Sequence, residues 1–125
     1  MLDVYMKFKK GILFVRPVGV LNGDTSLKLD EDLTNVINNN GIKYVVVNLS
    51  SLEYIDYYGI KVIINNYINI KNNNGRFMIC GLDNLLSYSG LIMNNLYKLN
   101  NEKDAFEVIN IWFIILKCFL YIVNS

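Results

Sequence analysis

Apolar and polar residues change period several times along this chain, and each change marks an element. Val4 to Phe8 alternates apolar and polar, Lys9-Lys10-Gly11 interrupts, and Ile12 to Pro17 is a second apolar run. That pattern predicts a β-hairpin. Pro17 brings no N–H to a ladder, so an edge or a bulge is expected near it. Leu29, Leu33, Val36 and Ile37 then recur at helical spacing behind Asp24, Thr25 and Ser26, all N-cap residue types, so a helix is expected to start there. Asn38-Asn39-Asn40 and Gly41 end it. Tyr44 to Val47 is an uninterrupted aromatic and β-branched run, as in a strand covered on both faces. Ile60, Ile63, Ile64, Tyr67 and Ile68 return to helical spacing, giving a second helix from about Tyr58 to Lys71 that closes at Asn72-Asn73-Asn74 and Gly75. Phe77 to Cys80 is the next strand. Beyond Gly81 the pattern predicts a short helix at Leu82-Asp83-Asn84-Leu85-Leu86 capped by Asp83, a short strand at Leu96 to Leu99, and a helix from Asn101 to Ile109.

The order of elements predicts an α/β fold: a small mixed sheet, built from an N-terminal hairpin plus β-α-β units, with helices packed mainly on one face. Val45 and Val47 are expected in the central strand, faced by Ile63, Ile64 and Tyr67. With 125 residues, 53% of them hydrophobic, the chain fits one domain. That domain is expected over residues 1–110, followed by an apolar tail over 111–125. From Val108 to Val123 only Asn110 and Lys117 break the apolar run. The run is shorter than the roughly 20 apolar residues of a spanning helix. Three readings are ordered: a helix packed on the domain or on a second copy, then a carboxyl terminus altered by mutation or misreading of the gene, then a tail adhering to a membrane.

Composition narrows the chemistry. Twelve basic residues against 11 acidic give a net charge of +1, and the lysines are scattered, so there is no electrostatic footprint for nucleic acid. There is no histidine, and Cys80 and Cys118 form no CxxC pair. The usual materials for a metal site, a Cys-His or Ser-His nucleophile, or a histidine acid–base pair are therefore missing, and no catalytic residue, metal or cofactor is expected. Cys80, inside an apolar run, reads as a small core residue. The amino terminus carries Asp3, Lys7, Lys9 and Lys10 with no signal-peptide core behind them, which points to the cytoplasm.

The junction between the central strand and the second helix, Asn48 to Ile63, holds Asp56, Tyr57, Tyr58 and Gly59. The carboxyl end of a central strand is where open α/β sheets usually meet ligands and partners. Asp56 can accept from N–H groups at the start of the helix, and this capping role is preferred to an acid–base role because no partner base or second carboxylate converges on it. Gly59 reads as a close-packing or turn residue, since one glycine makes no phosphate loop. Tyr57 and Tyr58 have two readings: compositional drift toward tyrosine, or an aromatic contact patch.

Val47-Asn48-Leu49-Ser50-Ser51-Leu52-Glu53-Tyr54-Ile55-Asp56-Tyr57-Tyr58-Gly59-Ile60 resembles the anti-sigma factor antagonist family, the STAS domain, whose central strand leads through a D-S-S-G loop into its second helix. Gly19-Val20-Leu21-Asn22, Gly75 to Gly81 and Ser89-Gly90-Leu91 extend the resemblance in order, over roughly residues 4–109. It implies a bacterial, non-catalytic regulator of transcription in sporulation or stress signalling, docking on an anti-sigma factor of the serine kinase type. The implied partner surface is Asn22, Asp24, Thr25, Asp56, Tyr57, Tyr58, Gly59 and Ile60. In phosphorylated members the second serine of D-S-S-G takes the phosphate; here that position is Tyr58, with Tyr57 beside it. The family's acidic residue in G-x-L-D is Asn22, and Asp24 is placed to substitute for it. The missing serine gives a competing reading: a scaffold STAS subunit of a signalling or transporter-associated complex that needs no phosphorylation.

Overall fold

A computed structural model describes residues 1–81 and 96–124. Six strands and three helices lie in the described chain: β1 (Leu2–Lys9), β2 (Ile12–Leu21), α1 (Ser26–Asn40), β3 (Tyr44–Asn48), β4 (Leu52–Ile55), α2 (Tyr57–Asn72), β5 (Arg76–Cys80), β6 (Tyr97–Lys98) and α3 (Asp104–Asn124). The strands form one mixed sheet in the order β1-β2-β3-β5-β6, with β4 paired to the far end of β2. Only β1 runs antiparallel to its neighbour. The expected helix at 82–86 and the Ser89-Gly90-Leu91 signal lie outside the described residues.

The hairpin forms because Lys10 (φ 52°) and Gly11 (φ 82°) both take the left-handed conformation that a two-residue turn requires. Gly41 (φ 60°) closes α1, its N–H donating to the carbonyl of Ile37, as the Asn-Gly signal predicts. At the end of α2 the left-handed residue is Asn74 (φ 63°) rather than Gly75. Gly75 is small for another reason: a Cβ there would strike the carbonyl oxygen of Lys43.

Two apolar layers sandwich the sheet. On one side Leu13, Val15, Val45, Val47 and Ile79 meet Leu29, Leu33 and Ile37 of α1 and Ile60, Ile63 and Ile70 of α2, with Ile64 and Tyr67 at the margin. On the other, Ile12, Phe14, Val46, Met78 and Cys80 meet Leu99, Ala105 and Ile109, so the start of α3 covers the second face. Val45, Val46 and Val47 are each 0% exposed, which is why β3 reads as an unbroken apolar run.

β2 outruns β3. Its last partner there is Val47, opposite Val15, and from Gly19 onward it pairs instead with β4, with a register shift between Gly19 and Val20. Pro17 falls in the interval between those partners, where the ladder on that side needs no donor. β4 replaces the plain loop expected between Asn48 and Asp56. Its burial runs buried, exposed, exposed, buried, so the register break removes the alternation by which a strand is recognised.

Candidate partner-binding site

Two turns meet at one end of the sheet, where β2 passes into α1 and β4 passes into α2. The β2–β4 pairing brings them together: Leu21 lies opposite Ile55, and the Asp56 N–H donates to the Leu21 carbonyl at 3.1 Å. Every residue of the expected partner surface follows directly from that pair.

In the first turn, Oδ1 of Asn22 accepts from the N–H groups of Asp24 (3.0 Å) and Thr25 (3.1 Å). The Thr25 hydroxyl accepts from the Asn22 N–H (2.9 Å) and donates to the Val20 carbonyl (2.8 Å). This corrects the N-cap expectation for Asp24, Thr25 and Ser26. Thr25 occupies the cap position, but its side chain makes no cap bond, and the Ser26 hydroxyl donates to the Gly23 carbonyl (3.3 Å). Asn22 has built an Asx turn ahead of the helix and taken the donors itself. A carboxylate oxygen at position 22 could accept the same two bonds, and Asp24 is exposed beside them.

In the second turn, Oδ1 of Asp56 accepts from the N–H groups of Tyr58 (3.0 Å) and Gly59 (3.2 Å), the capping role expected of it. Tyr57 and Tyr58 stand on the first turn of α2, 55% and 58% exposed, with ring centroids 5.6 Å apart at 78°. A Cβ at Gly23 would lie 3.4 Å from Cδ2 of Tyr58, so that ring rests against the first turn. The structure thus joins Asn22, Asp24, Thr25, Asp56, Tyr57 and Tyr58 into one surface. Gly59 and Ile60 are buried beneath it: Ile60 is core, and a Cβ at Gly59 would come within 2.6 Å of Leu21 Cγ. Their side of the junction is packing that seats the tyrosines.

At the carboxyl end of β3 lies a polar clasp. Arg16 donates from Nε and Nη2 to Glu102 (2.8 and 2.6 Å), and Asn48 donates to the same carboxylate at 2.9 Å while accepting from the Ser50 N–H at 3.0 Å. The hydrogen bond from Arg16 holds Glu102 below the usual carboxylate range, against the opposing effect of burial, with Asn48 adding to the lowering. Burial pushes the Cys80 thiol up to about 11, with Glu102 adding to the rise, so it is a protonated packing group. Neither Gly23 nor Glu102 could be found from pattern. Gly23 acts by lacking a side chain, and Glu102 meets Arg16 across 86 positions of sequence. Among the described residues no group of histidine, cysteine, aspartate and glutamate could hold a metal ion. The site presents aromatic area, two carboxylates and a capped helix start, which suits it to binding another protein's surface.

Known proteins resemble this chain in sequence and fold. The STAS domain family model matches residues 3–85. The anti-sigma F factor antagonist of Paenibacillus polymyxa is 29% identical over 94 residues, spanning 72% of this chain and 80% of that protein. Among solved structures, the anti-sigma factor antagonist SpoIIAA in its unphosphorylated form superposes with a TM-score of 0.72 at 11% identity, over 86% of this chain and 98% of that one. An anti-sigma factor antagonist from Mycobacterium paratuberculosis gives 0.75 at 17% identity, over 88% and 95%. At those identities the structures speak for the fold, and the family match speaks for descent. With the mixed sheet and the matched sequence in agreement, this chain belongs to the STAS domain family and is similar to anti-sigma factor antagonists.

Proposed function

We propose that this protein is a non-catalytic regulator of the bacterial cytoplasm that docks on a kinase-type anti-sigma factor and so frees a sigma factor, without the usual serine switch. The observation that carries the reading is the Tyr58 ring lying against Gly23, which merges two separate turns into one exposed aromatic surface. Tyrosine supplies large rigid area and a polar tip at low entropic cost, the chemistry of an interface anchor.

The loop has no serine hydroxyl at positions 57 and 58. A phenol carries its oxygen several Å further from the backbone than a serine does, so a kinase site shaped for serine does not hold it in line with the γ-phosphate. No added charge of nearly −2 then appears in the contact, and binding persists in the presence of ATP. Ser50 and Ser51 sit in the turn before β4, outside the loop that carries the family's phosphorylated serine, and are not expected to stand in.

Titration calorimetry against an anti-sigma factor of the serine kinase type, with and without ATP, tests the reading. The expected result is binding of equal affinity in both conditions, with no phosphate on the chain by mass mapping. Absence of binding sinks the docking role; stoichiometric phosphate on Tyr57 or Tyr58 sinks the argument from reach.

A further inference from the structure

α3 is longer than the sheet that receives it. Glu102, just before the helix, sits beside Asn48 at the carboxyl end of β3. Seven positions later, Ile109 lines a cavity with Phe8, Lys10, Gly11 and Tyr44, at the hairpin turn and the amino end of β3. Among the described residues, Ala105 and Ile109 are the last core residues of the helix. At about 1.5 Å per residue, the stretch 110–124 projects about 22 Å past the sheet.

That projection is oily. Ile111, Ile114, Ile115, Phe119, Leu120 and Ile122 are 49–70% exposed. Leu120 falls opposite the other five, which at about 100 Å² each present on the order of 500 Å² of apolar surface, at the upper end of the few hundred Å² usual on a monomer and more than half of the roughly 800 Å² per partner of a standard interface. Their order is specific. Ile111, Ile115, Cys118 and Ile122, all exposed, follow a 4-3-4 spacing, the d-a-d-a seam of a coiled coil. Asn110 and Lys117, seven residues apart, fall together on the c positions, away from that seam.

We propose that this projecting half of α3 pairs with the same segment of a second copy of the chain, making the protein a homodimer through its carboxyl-terminal helix. The flanking e and g positions that choose partners in coiled coils are Trp112, Ile114, Phe119 and Tyr121 here, with no charge to prefer a different helix over the chain's own. A two-fold pair is the simplest closed arrangement for one self-complementary seam. A membrane is the poorer occupant. Among the described residues no helix is long and apolar enough to cross one, and a helix lying in the interface draws on a Lys/Arg-rich polar face, whereas this segment carries only Lys117.

The test is the molar mass of the full chain by light scattering across a wide concentration range, for the unaltered protein, for Ile111→Asp with Ile115→Asp, and for Lys117→Glu on the opposite face. The unaltered chain and Lys117→Glu are expected near twice 14.4 kDa, and the double aspartate variant at the monomer mass with a cooperative melt retained and no longer dependent on concentration, since both positions are exposed and dimerisation no longer adds to stability. Monomer mass for the unaltered chain overturns the proposal. So does a mass that grows without limit, or co-sedimentation of the monomer with anionic phospholipid vesicles that the double variant abolishes.

Discussion

The ring of Tyr58 rests on Gly23, so closely that a Cβ on the glycine would lie 3.4 Å from Cδ2. The two residues belong to different turns, one leading into α1 and the other into α2, and this contact sets how the exposed tyrosine is presented. The phenol is a lever over the first turn, and Gly23 is its fulcrum.

Gly23→Ala therefore keeps an ordinary van der Waals contact, while Gly23→Val adds methyl groups where the ring lies and turns Tyr58 aside. Valine is expected to weaken docking on the anti-sigma factor by about as much as Tyr58→Ala, roughly 2 kcal/mol for a well-packed aromatic anchor, with alanine near neutral. Both residues are exposed, so the melting temperature should hold. Parallel calorimetry and thermal melts check this; equal binding by the valine variant would remove Tyr58 from the interface.

The two caps respond differently to substitution because they use different atoms. Asp56→Ala leaves the Tyr58 and Gly59 N–H groups without their acceptor and should cost about 1 kcal/mol in denaturant unfolding. Asn22 contributes its Oδ1 to the Asp24 and Thr25 N–H groups, so Asn22→Asp is expected to leave stability almost unchanged, whereas Asn22→Leu loses both bonds. A large loss in the aspartate variant would show that the amide nitrogen matters.

Much of this structure was legible wherever burial imposes a period. β3 is apolar on both faces and says so in Val45-Val46-Val47; α1 and α2 show their stripes, and the Asn-Gly ends mark where each helix stops. β4 was not legible, because a register shift beside Gly19 spoils its alternation within four residues. α1 starts where its N-cap residue types place it, but no side chain there makes a cap bond, because the Asx turn of Asn22 takes the Asp24 and Thr25 N–H groups, which no local pattern announces. In the site, Asp56, Tyr57 and Tyr58 stood out by position and type. Ile60 was legible in the apolar stripe of α2 as a core residue, and its burial follows that stripe rather than the partner surface the resemblance implies. The Arg16–Glu102 clasp joins residues that share no local pattern at all.

That clasp makes acid stability testable. Glu102 is held below its ordinary carboxylate value in the folded chain, so its contribution is fully present above the unfolded value of about 4.3 and is lost as pH falls through the folded one. Arg16 is 45% exposed, so solvent screening keeps the effect modest. Unfolding of Glu102→Gln is expected to be easier than that of the parent near neutral pH, with the gap closing below about pH 4. A gap independent of pH would assign Glu102 a purely steric role.

Cys80 gives the alkaline counterpart. Its thiol is pushed from 9.0 to about 11, so between those values the unfolded chain has released a proton that the folded chain still holds, and stability falls as pH rises. In a Cys118→Ser background, Cys80→Ala should flatten that decline, and a thiol reagent should label Cys80 only at the rate of unfolding. Rapid labelling of the native protein would contradict its burial.

Restoring serine to the loop probes the tyrosines as a pair. If Tyr57 and Tyr58 anchor the partner, Tyr57→Ser with Tyr58→Ser removes both rings from the surface and should weaken the first complex more than tenfold, since one buried aromatic alone is worth about 2 kcal/mol. The same change places a hydroxyl on the first turn of α2, where the N–H groups and helix dipole favour an anion, so the weakened complex should become releasable by ATP. The two effects are separable in one calorimetric series with and without nucleotide. Stronger binding by the serine variant, with none by the unaltered chain, would mean that the tyrosines block an antagonist surface, and the aromatic anchor would have to be abandoned.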